Sequence, residues 1–295
     1  KSILPSDTFS VLSKLETFVF LPALNLHNMM NNFTVETFKS NSSLILYGFI
    51  CVLIVMVLSY PLSRLFVKKV ENADEAYLRN IYKYALTFGN YGYLGNFIVL
   101  GIWGDEAFFK FSMFTFALNI VCNIWGLYIL IPKEQNQGVI RNIIRGFSTP
   151  PMLSLLLGMV IGLFELNRFI PEFVFTTLVN AKSCMGPVAM LLAGVVIGGY
   201  NFKGLLYDKK VYAATFLRLI AIPAVMLLIM KLLGISDEIQ TFTLIAFATP
   251  FGLNTIIFPA TYGAETRTGA SMAMISHIFS VLTIPLMYLV FIVLL

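Results

Sequence analysis

The segment Gly89-Asn-Tyr-Gly-Tyr-Leu-Gly-Asn-Phe97 interrupts an apolar run over residues 81–102. A second apolar run, over residues 239–261, is interrupted in a similar way by Thr249-Pro-Phe-Gly-Leu-Asn254. Glycine, proline and asparagine release backbone groups from a helix, and lipid offers those groups no hydrogen-bond partner. Each interruption is therefore expected to lie against protein or a water-filled cavity, as broken helices do at the substrate sites of secondary transporters.

Composition places the chain among the polytopic membrane proteins. Of its 295 residues 58% are hydrophobic and 12% are charged, whereas soluble domains contain about 25% charged residues. A bilayer span needs about 20 predominantly apolar residues. Nine segments approach or exceed that length, near 9–30, 44–66, 81–102, 108–131, 149–165, 172–199, 211–233, 239–261 and 269–294.

Composition also argues against several other classes of protein. The three cysteines lie in apolar segments and indicate no disulfide or metal framework, so no cofactor is expected. The net charge of +5 is attributed to membrane topology rather than to a nucleic-acid surface. The expected partners are therefore membrane lipids, and no nucleic acid. The spans contain no zinc-protease motif, aspartate pair or Ser/His dyad at helical spacing, so the chain is not expected to be an enzyme.

Basic residues predict the orientation of the chain. Connectors on one side of the nine spans carry fourteen Lys and Arg residues, and those on the other side carry four. By the positive-inside rule, residue 1 is predicted to be cytosolic and Leu295 external, in the cytoplasmic (inner or plasma) membrane. The two interrupted spans then cross the membrane in opposite directions, which predicts an inverted repeat.

The repeat defines the expected domain organisation. Aligning Gly104 with Gly263 pairs the fourth span with the ninth and leaves the fifth without a counterpart. A further helix is therefore expected before residue 1, giving ten spans in two repeats of five. The first repeat would cover 1–132 without its first helix, a cytosolic loop 133–148 would follow, and the second repeat would cover 149–295.

Six segments, in order along the chain, resemble the auxin efflux carrier family in its short bacterial form. Residues 90–95 resemble the family's Asn-x-x-x-x-Gly-x-Pro in the first crossing helix, although Phe97 stands where the family has proline. The segment 250–254, followed by Tyr262 and Gly263, resembles the second crossing helix. The other four segments are 20–24, 186–198, 218–223 and 280–285.

The resemblance implies an all-α integral membrane protein with an inverted 5+5 helix repeat and two broken crossing helices, similar to the bile-acid-symporter fold. A scaffold of four helices would flank a transport bundle of six, and the scaffold could form a homodimer. The scaffold helices of this chain would be 9–30, 149–165 and 172–199. The bundle helices would be 44–66, 81–102, 108–131, 211–233, 239–261 and 269–294.

The two breaks supply five candidate substrate-binding residues: Asn90, Gly95, Asn96, Pro250 and Asn254. Asparagine amides can donate hydrogen bonds to a carboxylate, and half-helix N-termini add partial positive charge. The alternative is that the amides only satisfy backbone groups released by the break. Pro250 is more typical of the break itself than of a direct contact.

Charged and titratable residues within spans are further candidates. Lys182 and Arg218 are costly there and should face protein or a cavity, where they could attract an anion; the alternative is snorkelling or pairing with a carboxylate. His277 is either a buried neutral histidine or a proton-linked group. Glu16, beside Lys14, is expected to be solvated at the cytosolic end of its span. A coupling ion, H⁺ or Na⁺, is left open.

These features favour a secondary active transporter that moves small organic anions, such as carboxylates, by elevator-type alternating access. The alternative is a membrane sensor or receptor of the same fold that binds its ligand without net transport. An attached signalling domain would favour the sensor, and measured flux would favour the transporter.

Overall fold

The computed structural model describes residues 5, 7–132, 138–198, 205–261 and 264–295. The predicted features at residues 1–4, 133–137, 199 and 262–263 lie outside them. The described helices are α1 (Thr8–Asn32), α2 (Val35–Phe66), α3 (Ala73–Thr87), α4 (Tyr91–Leu130), α5 (Val139–Phe147), α6 (Pro150–Leu163), α7 (Glu172–Gly198), α8 (Lys209–Leu232), α9 (Asp237–Ala248), α10 (Asn254–Thr261) and α11 (Arg267–Leu294).

The helices agree with an all-α membrane protein. In the described part of the chain, α1, α2, α4, α8 and α11 are each long and apolar enough to cross a membrane, and α6 is a shorter apolar helix. The predicted spans 81–102 and 239–261 are both broken into two helices, α3 with the start of α4, and α9 with α10. The 5+5 repeat and its missing first helix stay predictions.

Gly104 divides α4 into two helices. Its backbone has φ 79° and ψ −171°, a conformation that glycine adopts far more readily than other residues. We call the part before Gly104 α4a and the part after it α4b. The predicted spans 81–102 and 108–131 therefore correspond to α3 with α4a, and to α4b.

The first break lies earlier than the sequence predicts. Unwinding was expected close to residues 92–96, but Tyr91–Gly95 forms a π-helical turn that continues into α4a, and the non-helical residues are Phe88, Gly89 and Asn90. The reason is a close approach at Gly89. A Cβ built there would meet Thr249 Oγ1 at 2.6 Å, whereas one at Gly92 would meet nothing within 4 Å.

The second break lies where the sequence predicts it. Helix α9 ends at Ala248, and α10 begins at Asn254. Pro250 lacks an amide hydrogen and disfavours helical dihedrals in the residue before it. Thr249 accordingly has φ −67° and ψ 150°, which is extended backbone.

The connector 133–148 was predicted to be a loop, and this is wrong over Val139–Phe147, which forms α5. Its sequence, Val-Ile-Arg-Asn-Ile-Ile-Arg-Gly-Phe, alternates apolar and basic residues with helical spacing. Such a pattern is typical of a short amphipathic helix rather than of a flexible link. The remaining connector residues 133–137 are not described.

The helices pack in three sets around the breaks. Helices α6 and α7 both pack against α1, and these are the three helices predicted to form the scaffold. Helix α2 packs against α3 and α4b, while α8 packs against α9 and α11. The two breaks therefore lie in the interior, between helices on all sides.

Candidate functional site

The two breaks cross and hydrogen-bond to each other. Gly89 and Phe251 form an isolated antiparallel bridge, and the Asn90 amide N–H donates to the Pro250 carbonyl oxygen at 2.7 Å. The Phe251 N–H donates to Ser276 Oγ of α11 at 3.0 Å. Backbone groups released from the helices thus find protein partners, which broken helices require at membrane depth.

Arg218 joins the two half-helices that end at the crossing. Its guanidinium donates to the carbonyl oxygens of Leu86 and Thr87, at the C-terminal end of α3, at 3.1 Å each. It also donates to Ala246 in the last turn of α9 at 3.0 Å, and to Thr249 at a longer 3.4 Å. These ends carry orphan carbonyls and partial negative charge, so one buried cation stabilises both.

The positive charge of Arg218 has no carboxylate beside it among the described residues. Its side chain is 0% exposed. Described carboxylates pair with other cations: Lys110 pairs with Glu106 and Glu238, and Lys182 pairs with Asp105. The sequence alternative of a paired or snorkelling arginine is therefore not what the structure has. Arg218 belongs to the crossing.

A cavity of about 380 Å³ lies beside the crossing, within the usual size range of small-molecule sites. Its walls come from α1, α3, α4, α10 and the N-terminal end of α6, and none of its described lining residues carries a charge. Its polar side chains are six asparagines, three tyrosines and four hydroxyl residues, namely Asn25, Asn90, Asn96, Asn119, Asn123, Asn254, Tyr84, Tyr91, Tyr93, Thr17, Ser112, Thr115 and Thr149.

One wall of the cavity was missed by the sequence analysis. Ser112, Thr115, Asn119 and Asn123 lie three or four residues apart, so they share one face of α4b and the π-helical turn that follows it. Asn119 Oδ1 accepts a hydrogen bond from the Tyr91 hydroxyl at 3.0 Å. This polar stripe in an apolar helix is the signal that could have identified the wall.

Asn90 lines the cavity and contacts His277. The Asn90 Nδ2 lies 3.2 Å from His277 Nε2, and His277 Nδ1 lies 2.7 Å from the Ala273 carbonyl oxygen. Because a carbonyl only accepts, Nδ1 carries a proton, and Nε2 of the neutral ring accepts from Asn90. These contacts fit the neutral form of His277, which lies behind the cavity wall, with one Asn90 N–H engaged.

Asn254 and Asn96 also reach the cavity. Asn254 Nδ2 donates to the Tyr84 hydroxyl at 2.9 Å, and that hydroxyl lies 3.2 Å from Cys122 Sγ. Asn96 Nδ2 donates to the Gly92 carbonyl oxygen at 2.7 Å, one turn earlier in the same helix. Asn96 therefore fits the alternative in which the amide only satisfies a backbone group. Asn254 instead bonds to a side chain of another helix, Tyr84 of α3.

Besides Arg218 and His277, three more candidates do not line the cavity. Gly95 is buried within its turn and donates its N–H to the Asn90 carbonyl oxygen at 3.0 Å, and Pro250 belongs to the bridge between the breaks. Lys182 pairs with Asp105 at 3.2 Å and lies 3.3 Å from His27 Nδ1. Lys182 is thus part of a separate polar contact, as its pairing alternative anticipated.

Glu16 contradicts its predicted solvation. Its side chain is 0% exposed, and neither carboxyl oxygen has a hydrogen-bond partner among the described residues. Lys14 and Glu16 are two residues apart, which is about 200° around a helix, so Glu16 faces inward while Lys14 remains exposed; a π-helical turn begins at Glu16.

Two broken helices that cross beside a polar, uncharged cavity within an apolar helical fold define a polytopic membrane protein of the transporter class. The chain belongs to the membrane transport protein family, whose model matches residues 1–288. The predicted resemblance to the auxin efflux carrier family is thereby confirmed.

Two relatives agree with this assignment. The chain is 22% identical over 297 residues to the uncharacterized transporter MJ1031 of Methanocaldococcus jannaschii, covering 96% of this chain and 90% of the relative. It is 25% identical over 205 residues to the uncharacterized transporter YfdV of Escherichia coli K12, covering 66% and 62%. The relatives carry transporter names, which agrees with the expectation that the chain is not an enzyme.

Proposed function

We propose that this protein is a secondary active transporter of small organic anions, above all carboxylates, which it binds in the cavity beside the crossing. The observation that carries the proposal is the buried charge of Arg218. A Cβ built on Gly89 would overlap the Arg218 guanidinium, so this cation lies directly behind a residue of the cavity wall. In a poorly hydrated interior, its field acts over a longer range than in water.

Short-range donors complement that field. Helices α4a and α10 begin at Tyr91 and Asn254, and both residues line the cavity. The N-terminal ends of helices carry partial positive charge and favour anions. Asn90 and Asn254 each have a second amide N–H beyond the one used within the protein. A carboxylate would therefore meet donors without a lysine or arginine lining the cavity.

The position of the cavity supports elevator-type alternating access. Its walls combine α1 and α6 from the predicted scaffold with α3, α4 and α10 from the predicted bundle. A substrate held by the bundle could thus pass the scaffold as the bundle moves. The cavity reaches Thr149 and Pro150 at the start of α6. In the proposed topology this end is cytosolic, so the conformation is inward-facing, and the scaffold is the proposed homodimer surface.

A ligand screen with matched controls tests the anion proposal. The purified protein is heated with mono- and dicarboxylates and with the neutral amides of the same acids. A ligand that binds the folded state stabilises it by RT ln(1 + [L]/Kd). The expected result is a higher Tm with at least one carboxylate and no shift with its amide. Equal shifts with acid and amide would contradict recognition of the negative charge.

Flux separates the transporter from the sensor. The acid that stabilises the protein is supplied as a radiolabelled substrate to proteoliposomes, with and without Na⁺ or pH gradients. Accumulation or counterflow above protein-free liposomes supports transport. Binding without any flux would favour the sensor.

A further inference from the structure

We propose that Glu16 is a proton-binding site of the transporter, and that it releases its proton to water when α1 and α4a separate during the transport cycle. The proposal deepens the proposed function, because it names the proton as an ion that the conformational cycle takes up and releases. No residue of the crossing is required for it.

The surroundings of Glu16 favour the neutral acid in the conformation described. The side chain is fully buried, and both carboxyl oxygens lack a hydrogen-bond partner among the described residues. Burying an unpaired carboxylate costs far more than burying a neutral polar group. The carboxyl group is thus expected to hold a proton here, and to lose it only when water reaches it.

Among the residues that the structure describes, no cation near this turn replaces the proton. Helices α6 and α7 pack against Glu16–Phe20. Helix α6 has no titratable residue, and on α7 Glu172 and Cys184 are exposed, while Lys182 is paired with Asp105 and His27. On α1 itself Lys14 is exposed and His27 contacts Lys182. From α4a, the Tyr93 hydroxyl lies 3.3 Å from Oγ1 of the adjacent Thr17.

Thr17, the residue after Glu16, connects this position to the cavity and to α4a of the predicted bundle. Thr17 Oγ1 and the Tyr93 hydroxyl lie 3.3 Å apart, and both residues line the cavity. This contact joins α1 of the predicted scaffold to α4a of the predicted bundle. Separating the two helices would bring cavity water to Glu16, whose O–H bond would break with transfer of its proton to that water. Reprotonation would accompany the return.

The crossing favours a proton over Na⁺ as the coupled ion. In other transporters, half-helix C-terminal ends and unwound carbonyls coordinate Na⁺. Here, carbonyl oxygens at the ends of α3 and α9 accept from Arg218.

The test compares Glu16→Gln with the parent and with Glu172→Gln, which removes an exposed carboxylate of α7. Hydrogen–deuterium exchange, corrected for the intrinsic pH dependence, is followed in peptides covering 8–20 and 88–97. In the parent and in Glu172→Gln, exchange is expected to rise with pH, by up to about tenfold per pH unit for a single proton. In Glu16→Gln it should be flat. Retention of the parental pH profile in Glu16→Gln would overturn the proposal.

A second variant and a transport measurement complete this experiment. If Glu16→Gln folds poorly, Glu16→Met supplies a neutral side chain that needs no hydrogen bond, and the same flat profile is expected. Carboxylate uptake by proteoliposomes, measured over the same pH range, should lose its pH dependence in the neutral variants. If the pH dependence of exchange is lost in Glu16→Gln but the parent transports no carboxylate, the proton site is supported and the substrate proposal fails. If the parent transports a carboxylate but exchange in Glu16→Gln keeps its pH dependence, the substrate proposal is supported and the proton site fails.

Discussion

Asn254 is the residue through which substrate recognition can be tested most directly. It begins α10, lines the cavity and donates to the Tyr84 hydroxyl. Replacing it with Ala would remove a charge-assisted bond to the carboxylate worth about 1.5–3 kcal/mol, so affinity should fall roughly ten- to a hundredfold. Asn254→Asp should be worse, because it sets like charge against the substrate. The affinity of both variants is measured from the rise in Tm as the concentration of the most stabilising carboxylate is increased.

The control for Asn254 is Tyr84→Phe, which removes the hydroxyl but keeps the ring. If Asn254 binds substrate itself, this variant should keep affinity within a few-fold of the parent. An equal loss in Tyr84→Phe and Asn254→Ala would mean that Asn254 acts by positioning Tyr84. Parental affinity in both asparagine variants would make the crossing purely architectural.

Arg218 is expected to determine stability more than any cavity residue. In Arg218→Ala, the carbonyl oxygens of Leu86 and Thr87 lose their donor, and that of Ala246 keeps only a long bond from Thr249 Oγ1 at 3.4 Å. Each buried acceptor left unsatisfied costs about 1–3 kcal/mol, so destabilisation should reach about 3 kcal/mol or more. Thermal unfolding in detergent measures it. Arg64→Ala, which removes an exposed arginine of α2, should leave Tm nearly unchanged; equal Tm values for the two variants would contradict the assigned role.

Residue identities at the breaks could be predicted from the sequence because glycine, proline and asparagine in apolar spans have few explanations. The partners of Arg218 and the burial of Glu16 could not. Arg218 contacts residues up to 132 positions away, and Glu16 is enclosed by helices from both halves of the chain. Such contacts depend on the packing of the whole fold rather than on local pattern.

At the scale of helical elements, π-helical turns accompany the site. Four of the five π-helical segments in the described chain begin at Glu16, Tyr91, Cys122 and Leu217, and each of these adjoins the cavity or contains a residue of the crossing; the fifth, Leu289–Leu294, ends α11. A π-helical turn adds a residue and redirects the side chains around it, which is frequent at functional sites. No sequence pattern identifies these turns. The first break was therefore expected at the glycines of what is in fact a helical turn.

Gly89 and Gly92 form a matched pair that tests where the first break lies. In Gly89→Ala, the new Cβ would lie 2.6 Å from Thr249 Oγ1 and 2.8 Å from its carbonyl oxygen, so the two breaks must move apart. Gly92→Ala meets open space and replaces a poor helix former, for a change of up to about 1 kcal/mol in the stabilising direction. Thermal unfolding should show a lowered Tm only for Gly89→Ala. The opposite order would place the unwinding at Gly92 after all.

At the scale of the whole molecule, the proposed elevator motion needs contacts at which the predicted bundle can slide past the predicted scaffold. Helix α4a meets α7 where the Phe97 ring lies against Gly186, so closely that a Cβ on Gly186 would overlap the ring. Phe97 stands where the family has proline, and Gly186 belongs to a segment that resembles the family. In the proposed elevator motion, this aromatic ring packed on a glycine would be a contact between bundle and scaffold that can slide without breaking a hydrogen bond.

The direction in which the cavity opens depends on topology, which cysteine labelling can determine. Ile140 of α5 is 76% exposed and Ser236 precedes α9 at the other end of the predicted spans. In a background with Cys184, an exposed cysteine, changed to Ser, an impermeant maleimide should label Ser236→Cys in intact cells. Ile140→Cys should react only after permeabilisation. The reverse pattern would place the start of α6 outside, so the described cavity would face outward. The contacts of the crossing and of Arg218 would be the same in that case, because turning the whole chain over in the membrane leaves the two broken helices antiparallel.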